Sequence, residues 1–188
     1  QLSGTPTVAA TSTFAITATD AGGCAGTANY TVDVFAAPPN SFVAPTAAGL
    51  AISAAHACVT VPMVLTRGES AAARGLVVSF QLDPARLALC STPAASIHLG
   101  SWLNGFTNTN LAVTDDGGGS YTVTVSLVGA PCGITTGGTP FTVDLKSVGP
   151  DGQGLITVTR VKATSCGGTP LAVAPGAAGS LRIQNAPI

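Results

Sequence analysis

Charge is scarce in this sequence. Of 188 residues, 7 are Lys or Arg and 8 are Asp or Glu, and Glu69 is the single glutamate. An average globular protein carries about 25% charged residues; this chain carries 8%. With a net charge of -1 it has neither a basic patch for a phosphate backbone nor an acidic tail, so nucleic acid is not an expected partner. Aromatic residues are also few, at 5%, with one Trp. No run of about 18 apolar residues occurs, so no membrane insertion is expected. No basic segment leads into an apolar stretch as in a signal peptide.

These absences exclude most chemistry. A nucleophilic triad would need His56 or His98 as its base, and neither lies near a G-x-S-x-G turn. A glycosidase-type carboxylate pair is not evident with Glu69 alone in a loop beside Arg67 and Gly68. The five cysteines (24, 58, 90, 132 and 166) form no C-x-x-C pair, and two histidines are too few for a zinc centre. No catalytic residue and no cofactor is expected, and the chain reads as a non-enzyme.

What is present is turn and strand. Gly (23) and Pro (13) are frequent, and no helical 3.6-residue period of useful length occurs. Thr13 to Thr19 alternates, with Phe14, Ile16 and Ala18 on one face; Asn29 to Phe35 alternates with Tyr30, Val32 and Val34 inward. The two runs read as a hairpin or as neighbouring strands around Ala21-Gly22-Gly23. Residues 36–49, with three prolines, read as a stiff linker and a domain boundary. Beyond it come strand signals at 59–65, 75–82, 87–89, 121–127, 141–145, 155–161, 171–173 and 180–183. Pro62 lacks a ladder donor, which puts its strand on an edge or at a bulge. Gly149-Pro150-Asp151-Gly152 reads as the turn of a hairpin joining the strands at 141–145 and 155–161. The class is all-β, an antiparallel sandwich.

Dispersed cysteines in such a chain favour an oxidising compartment. Cys58 and Cys90 bracket one strand pair; Cys132 and Cys166 bracket another. Those two pairings are the expected disulfides, each worth roughly 3 kcal/mol by loop-closure entropy. The pairing 58–166 with 90–132 stays open. Cys24 is left over, either as a buried free thiol or as half of a bond to sequence outside this chain.

Three stretches are candidates for binding. Asp115 and Asp116, before three glycines, offer carboxylates and carbonyls for calcium, or else an ordinary hairpin connector. The 100–110 segment holds Trp102, Asn104, Phe106 and Asn108, a set suited to stacking on and hydrogen-bonding to a glycan or protein surface. The competing reading is that Trp102 and Phe106 cover the core edge beneath a long loop. Asn29-Tyr30-Thr31 fits the N-glycosylation sequon, on an expected strand.

Residues 2–35 resemble the C-terminal half of bacterial extracellular Ig-like repeats. The resemblance rests on Leu2-Ser3-Gly4-Thr5-Pro6-Thr7, Ala18-Thr19-Asp20, Gly23-Cys24 and Tyr30 to Val34. It implies an incomplete Ig-like domain over 1–35 whose first strands lie outside this chain. Residues 50–184 resemble a cohesin-type sandwich, carried by Val59 to Met63, Gly75 to Leu82 with Asp83-Pro84-Ala85-Arg86-Leu87, Phe141 to Leu145 and Gly179 to Ile183. In that family the Asp-Pro segment turns one sheet toward the other, and cohesins proper bind dockerins. The cysteines depart from the cohesin pattern. Residues 185–188 read as the start of a further linker.

The function expected from these readings is a secreted, cell-surface structural or adhesive module. It would be a repeat or filament subunit that self-assembles, its Ig-like half completed by a neighbour's strands. The alternative is a recognition module for a dockerin-type protein or a glycan.

Overall fold

The computed structural model describes residues 10–34, 41–129 and 132–184. The Leu2–Thr7 motif, Phe35, residues 36–40 of the expected linker and residues 185–188 lie outside them. The chain divides into two compact units, residues 1–37 and 38–188.

The first unit is a hairpin. Strand β1 (Ala10–Thr19) pairs antiparallel with β2 (Ala25–Val34), in register from Ala10 opposite Val34 to Thr19 opposite Ala25. The turn is held by Asp20, whose Oδ1 accepts the N–H groups of Gly22 (2.8 Å) and Cys24 (2.9 Å). Alternation makes the ribbon two-sided. One face carries hydroxyls and is internally bonded, Thr11 to Asp33 at 2.6 Å and Thr17 to Thr27 at 2.9 Å. The other carries the Phe14–Tyr30 pair, rings stacked at 5.7 Å, flanked by Ile16 and Val32. Here the structure corrects the sequence: Tyr30 and Val32 are not inward but 48% and 43% exposed. The alternation is real, but the described residues of this unit supply no second layer to cover it.

The second unit is a sandwich. Its strands are β3 (Phe42–Pro45), β4 (Ala51–Ser53), β5 (Val59–Thr66), β6 (Ala73–Leu82), β7 (Leu87–Leu89), β8 (Ile97–Leu99), β9 (Thr109–Gly117), β10 (Ser120–Leu127), β11 (Gly138–Ser147), β12 (Gly152–Ser165), β13 (Pro170–Leu171), β14 (Ala174–Pro175) and β15 (Gly179–Gln184). One helical turn, α1 (Pro93–Ser96), precedes β8. One sheet runs β4-β15-β12-β6-β10-β9, with β13 beside β12; the other runs β14-β3-β5-β11-β7, with β8 also on β11. The segment from Ser41 onward is not linker. Val43 is fully buried, and β3 pairs with β5 from Phe42 opposite Thr66 to Pro45 opposite Met63.

Inward residues of the two sheets meet in one core. Phe80 of β6 lies 5.5 Å from the ring of Tyr121 and 6.1 Å from that of Phe141 on the facing sheet. Leu76, Val78, Val123, Val143 and Leu145 are fully buried around them. A sandwich core needs this interdigitation of two inner faces.

Two expectations fail for identifiable reasons. The Gly149–Gly152 turn does not close a hairpin, because β11 and β12 belong to different sheets. The turn is a crossover lying against the Asp83–Arg86 corner, which carries β6 across to β7. Val148 N–H donates to the Arg86 carbonyl (2.9 Å), and Arg86 Nη1 donates to the carbonyls of Pro150 (3.0 Å) and Asp151 (3.1 Å). A Cβ on Gly149 would run into the Ala85 carbonyl. Strand β5, in turn, is interior rather than an edge. Pro62 is tolerated because its missing donor falls on the rung where β3 ends, its own carbonyl accepting from Thr46 N–H at 2.8 Å.

The disulfides join Cys58 to Cys90 (Cα–Cα 6.0 Å) and Cys132 to Cys166 (5.5 Å). The strand pairs behind them are not the expected ones. Val59 and Leu89 sit opposite Leu145 from its two sides, so the first bond ties β5 and β7 across β11. In the second, Ser165 and Ile134 both pair with Ala73, so the bond closes over the start of β6.

Candidate partner-binding face

The outer side of β12, β6, β10 and β9 is a four-strand platform. Its rows follow from register: Thr164, Gly75, Ser126 and Asn110; then Lys162, Val77, Thr124 and Ala112; then Arg160, Ser79, Thr122 and Thr114. Every second residue along each strand is claimed by the core, and half of the outward residues in these rows carry hydroxyls. Thr159 is the extra residue of a bulge between Val158 and Arg160. It resets the phase, so that Arg160 and Lys162 face out while Ala163 stays buried.

Polar order on the platform is built in. Ser79 Oγ and Thr122 Oγ1 are 2.9 Å apart, and Thr122 donates to Asp116 Oδ2 at 2.7 Å. Gln81 Nε2 donates to the Gly118 carbonyl at 2.8 Å and pins the β9–β10 turn. Arg160 and Lys162 flank the platform along β12, and Asp116 marks the opposite corner. Beneath that corner Tyr121 points inward, and burial together with the Asp115 carboxylate pushes its pKa above the ordinary 10.

Of the sequence-derived candidates, Asp116 alone bonds to a platform residue. Asp115 Oδ1 accepts Gly117 N–H at 2.9 Å, and Asp116 is engaged by Thr122, so both serve the hairpin connector. Among the described residues no cluster of three or more metal-ligating side chains occurs. Trp102 is 5% exposed and donates from Nε1 to the Thr136 carbonyl at 3.0 Å. It closes the core edge, as does half-buried Phe106, while Asn104 and Asn108 are exposed. The buried indole fits the reading in which Trp102 and Phe106 cover the core edge. Cys24 is exposed in the hairpin turn, which removes the buried-thiol reading. On the opposite sheet, Asp144 takes His98 Nε2 at 3.0 Å and Thr60 Oγ1 at 2.6 Å, tying β8, β11 and β5.

Solved structures share this architecture. A cohesin of Clostridium thermocellum, OlpC, in a type I cohesin–dockerin complex, matches with TM-score 0.62 at 15% identity, over 82% of this chain and 100% of that one. The sixth cohesin of Acetivibrio cellulolyticus scaffoldin B, in complex with a Cel5 dockerin mutant, matches with TM-score 0.58 at 17% identity, over 77% and 99%. A non-cellulosomal cohesin of the archaeon Archaeoglobus fulgidus gives 0.52 at 16%, over 77% and 91%. The sandwich has the cohesin fold. No family model and no curated protein matches the chain. The Ig-like reading of residues 1–35 gains nothing from these comparisons. The sequence did not single this platform out: the outward residues of the cleanest strand, Thr122, Thr124 and Ser126, are hydroxyls, as on any half-solvated sheet.

Proposed function

We propose that the sandwich is a secreted recognition module that docks a dockerin-type protein on the platform of β12, β6, β10 and β9. The observation that carries the reading is an uncovered four-strand face on a cohesin fold. Its small side chains lose little rotamer entropy when covered, which favours association over a bristling charged surface. Arg160 and Lys162 along one side, opposite Asp116, supply an orienting field for a partner whose acidic groups meet β12. The two disulfides fit an oxidising, extracellular setting.

The test is a titration of the whole chain against a panel of dockerin modules, including those of the C. thermocellum and A. cellulolyticus complexes. Saturable binding that is lost in Ala112→Arg and kept in Lys146→Glu, on the other sheet, supports the platform. Binding to no dockerin, or binding indifferent to Ala112→Arg, contradicts it.

The structural or filament role has one observation in its favour, the exposed apolar face of the β1–β2 ribbon. In that reading a neighbour's strands would cover the ribbon. A glycan site built on the Trp102 loop has no exposed indole to use.

A further inference from the structure

The seven Lys and Arg residues divide into two groups. Arg67, Arg74, Arg86 and Lys146 are bonded within the sandwich. Arg67 Nη1 donates to the Ile134 carbonyl at 3.5 Å and Arg74 Nε to that of Leu127 at 3.2 Å. Lys146 Nζ donates to the Cys90 carbonyl at 3.4 Å, and Arg86 holds the Pro150 and Asp151 carbonyls. Arg160, Lys162 and Arg182 are exposed, and among the described residues their side chains make no hydrogen bond or ion pair. All three lie on β12 and β15, neighbours in one sheet. Strands β6, β12, β13 and β15 carry no acidic residue that could neutralise them.

Two of these free cations stand on the platform. Arg160 is level with Ser79, and Lys162 with Val77. Two residues apart on one face, they are separated by about 6.7 Å along the strand. On the far side of β12, β15 pairs only as far as Ile156 and β13 begins at Ala163, so neither covers them. Their outward aim depends on the Thr159 bulge, which is pinned where Thr159 Oγ1 donates to the Ser79 carbonyl at 3.2 Å. A bulge in an interior strand interrupts the ladder, and such interruptions recur where a side chain is re-aimed for use. Side by side the two cations repel each other, and carboxylates brought close to them relieve that repulsion.

We propose that Arg160 and Lys162 set the specificity of the platform, selecting a dockerin-type partner that brings two carboxylates to β12, spaced as at positions i and i+4 of a helix. Such a helical pair has Cβ atoms about 5–6 Å apart, close to the separation of the two cations. A helix suits a sheet face because it closes its own main-chain hydrogen bonds, which a lone strand laid there would leave unpaired. Arg160 takes one carboxylate through its planar fork, and Lys162 takes the other as a point charge. Asp116, at the opposite corner, repels the same pair and so favours one orientation of the partner. The proposal rests on the dockerin reading and names the feature by which this module tells one dockerin from another.

Calorimetric titration of the whole chain tests it, at low and at high salt, against dockerins sorted by whether an exposed helix carries an acidic pair at i and i+4. Modules with the pair are expected to bind at least about 10-fold more tightly than those without it, and the gap narrows in high salt. Lys162→Glu weakens the acidic modules by at least about 10-fold, and Arg160→Glu together with Lys162→Glu by at least about 100-fold. Arg182→Glu changes net charge as much as Lys162→Glu but lies off the platform, so it alters binding less than about 2-fold. All three side chains are exposed, and an unchanged urea midpoint shows that the variants keep their fold. Equal losses in Lys162→Glu and Arg182→Glu would reveal a response to net charge alone and overturn the proposal. Binding that ignores the acidic pair and both platform reversals, yet is lost in Ala112→Arg, overturns it while the dockerin reading stands. Binding to no dockerin removes both.

Discussion

The ribbon of residues 10–34 and the β6–β10 pair of the sandwich follow the same alternating pattern, with opposite outcomes. In β10 the inward Val123 and Val125 are fully buried, whereas in β2 the corresponding Tyr30 and Val32 keep nearly half their surface. Period-2 alternation specifies that a segment is a strand with two unlike faces. It does not specify that the apolar face will be covered, because cover comes from a second layer distant in sequence. Phe80 has Phe141 opposite it from the facing sheet; among the described residues the aromatic pair of the ribbon has only itself.

The difference can be broken or sharpened in order of expected effect. Phe80→Ala should destabilise the sandwich by about 3–5 kcal/mol, read as a shift in the urea midpoint. Phe14→Ala should leave that midpoint unmoved, because its ring is outside the sandwich core. A loss from Phe80→Ala no larger than that of a surface change would refute the two-layer core. Replacing Cys58 and Cys90 together by Ala should cost about 2–5 kcal/mol, measured in the same way. No cost would mean that the bond adds nothing to the β5–β11–β7 packing already present. On the platform, Ala112→Arg should alter stability by no more than about 0.5 kcal/mol, since its Cβ faces out. That near-neutrality makes the variant a clean probe of docking.

The smallest effect is on alkaline stability. Tyr121 has a raised folded-state pKa from burial and from Asp115. Its protonated form is favoured in the fold, so its contribution is fully present below about pH 10. It is lost as pH rises through the folded value. Tyr121→Phe should remove this component of the alkaline loss. An unchanged slope above pH 10 in that variant would show that Tyr121 does not contribute.

Much of the fold was legible because strands and corners have local causes. Tyr121 to Leu127 alternates plainly, and Asp83-Pro84 marks the corner where β6 leaves its sheet. What was not legible depends on partners remote in sequence. The Gly149–Gly152 turn has the chemistry of a hairpin. Its contacts with the remote Asp83–Arg86 corner and the burial of Phe141 and Ile156 accompany its crossing from one sheet to the other. Pro62 suggested an edge, yet a single missing donor is harmless where β3 stops short. The disulfide partners matched their bracketing of strands, but the strands they join are neighbours of β11 and of Ala73 rather than sequence-adjacent pairs. The bulge at Thr159 did leave a trace, two polar residues in succession between Val158 and Val161. Trp102 could not be placed from its neighbours, since Asn and Gly beside an indole serve a binding loop and a core cap equally well. The platform itself escaped notice because hydroxyl residues on outward strand positions are what any half-solvated sheet displays.

Amide hydrogen exchange on the dilute whole chain tests the central contrast most directly. The account predicts that amides of β5, β6, β10, β11 and β12 exchange only through global opening. Those of Ala10–Val34 should exchange through local opening of much lower free energy. Protection of the ribbon equal to that of the sandwich, at a concentration where the chain is monomeric, would contradict it.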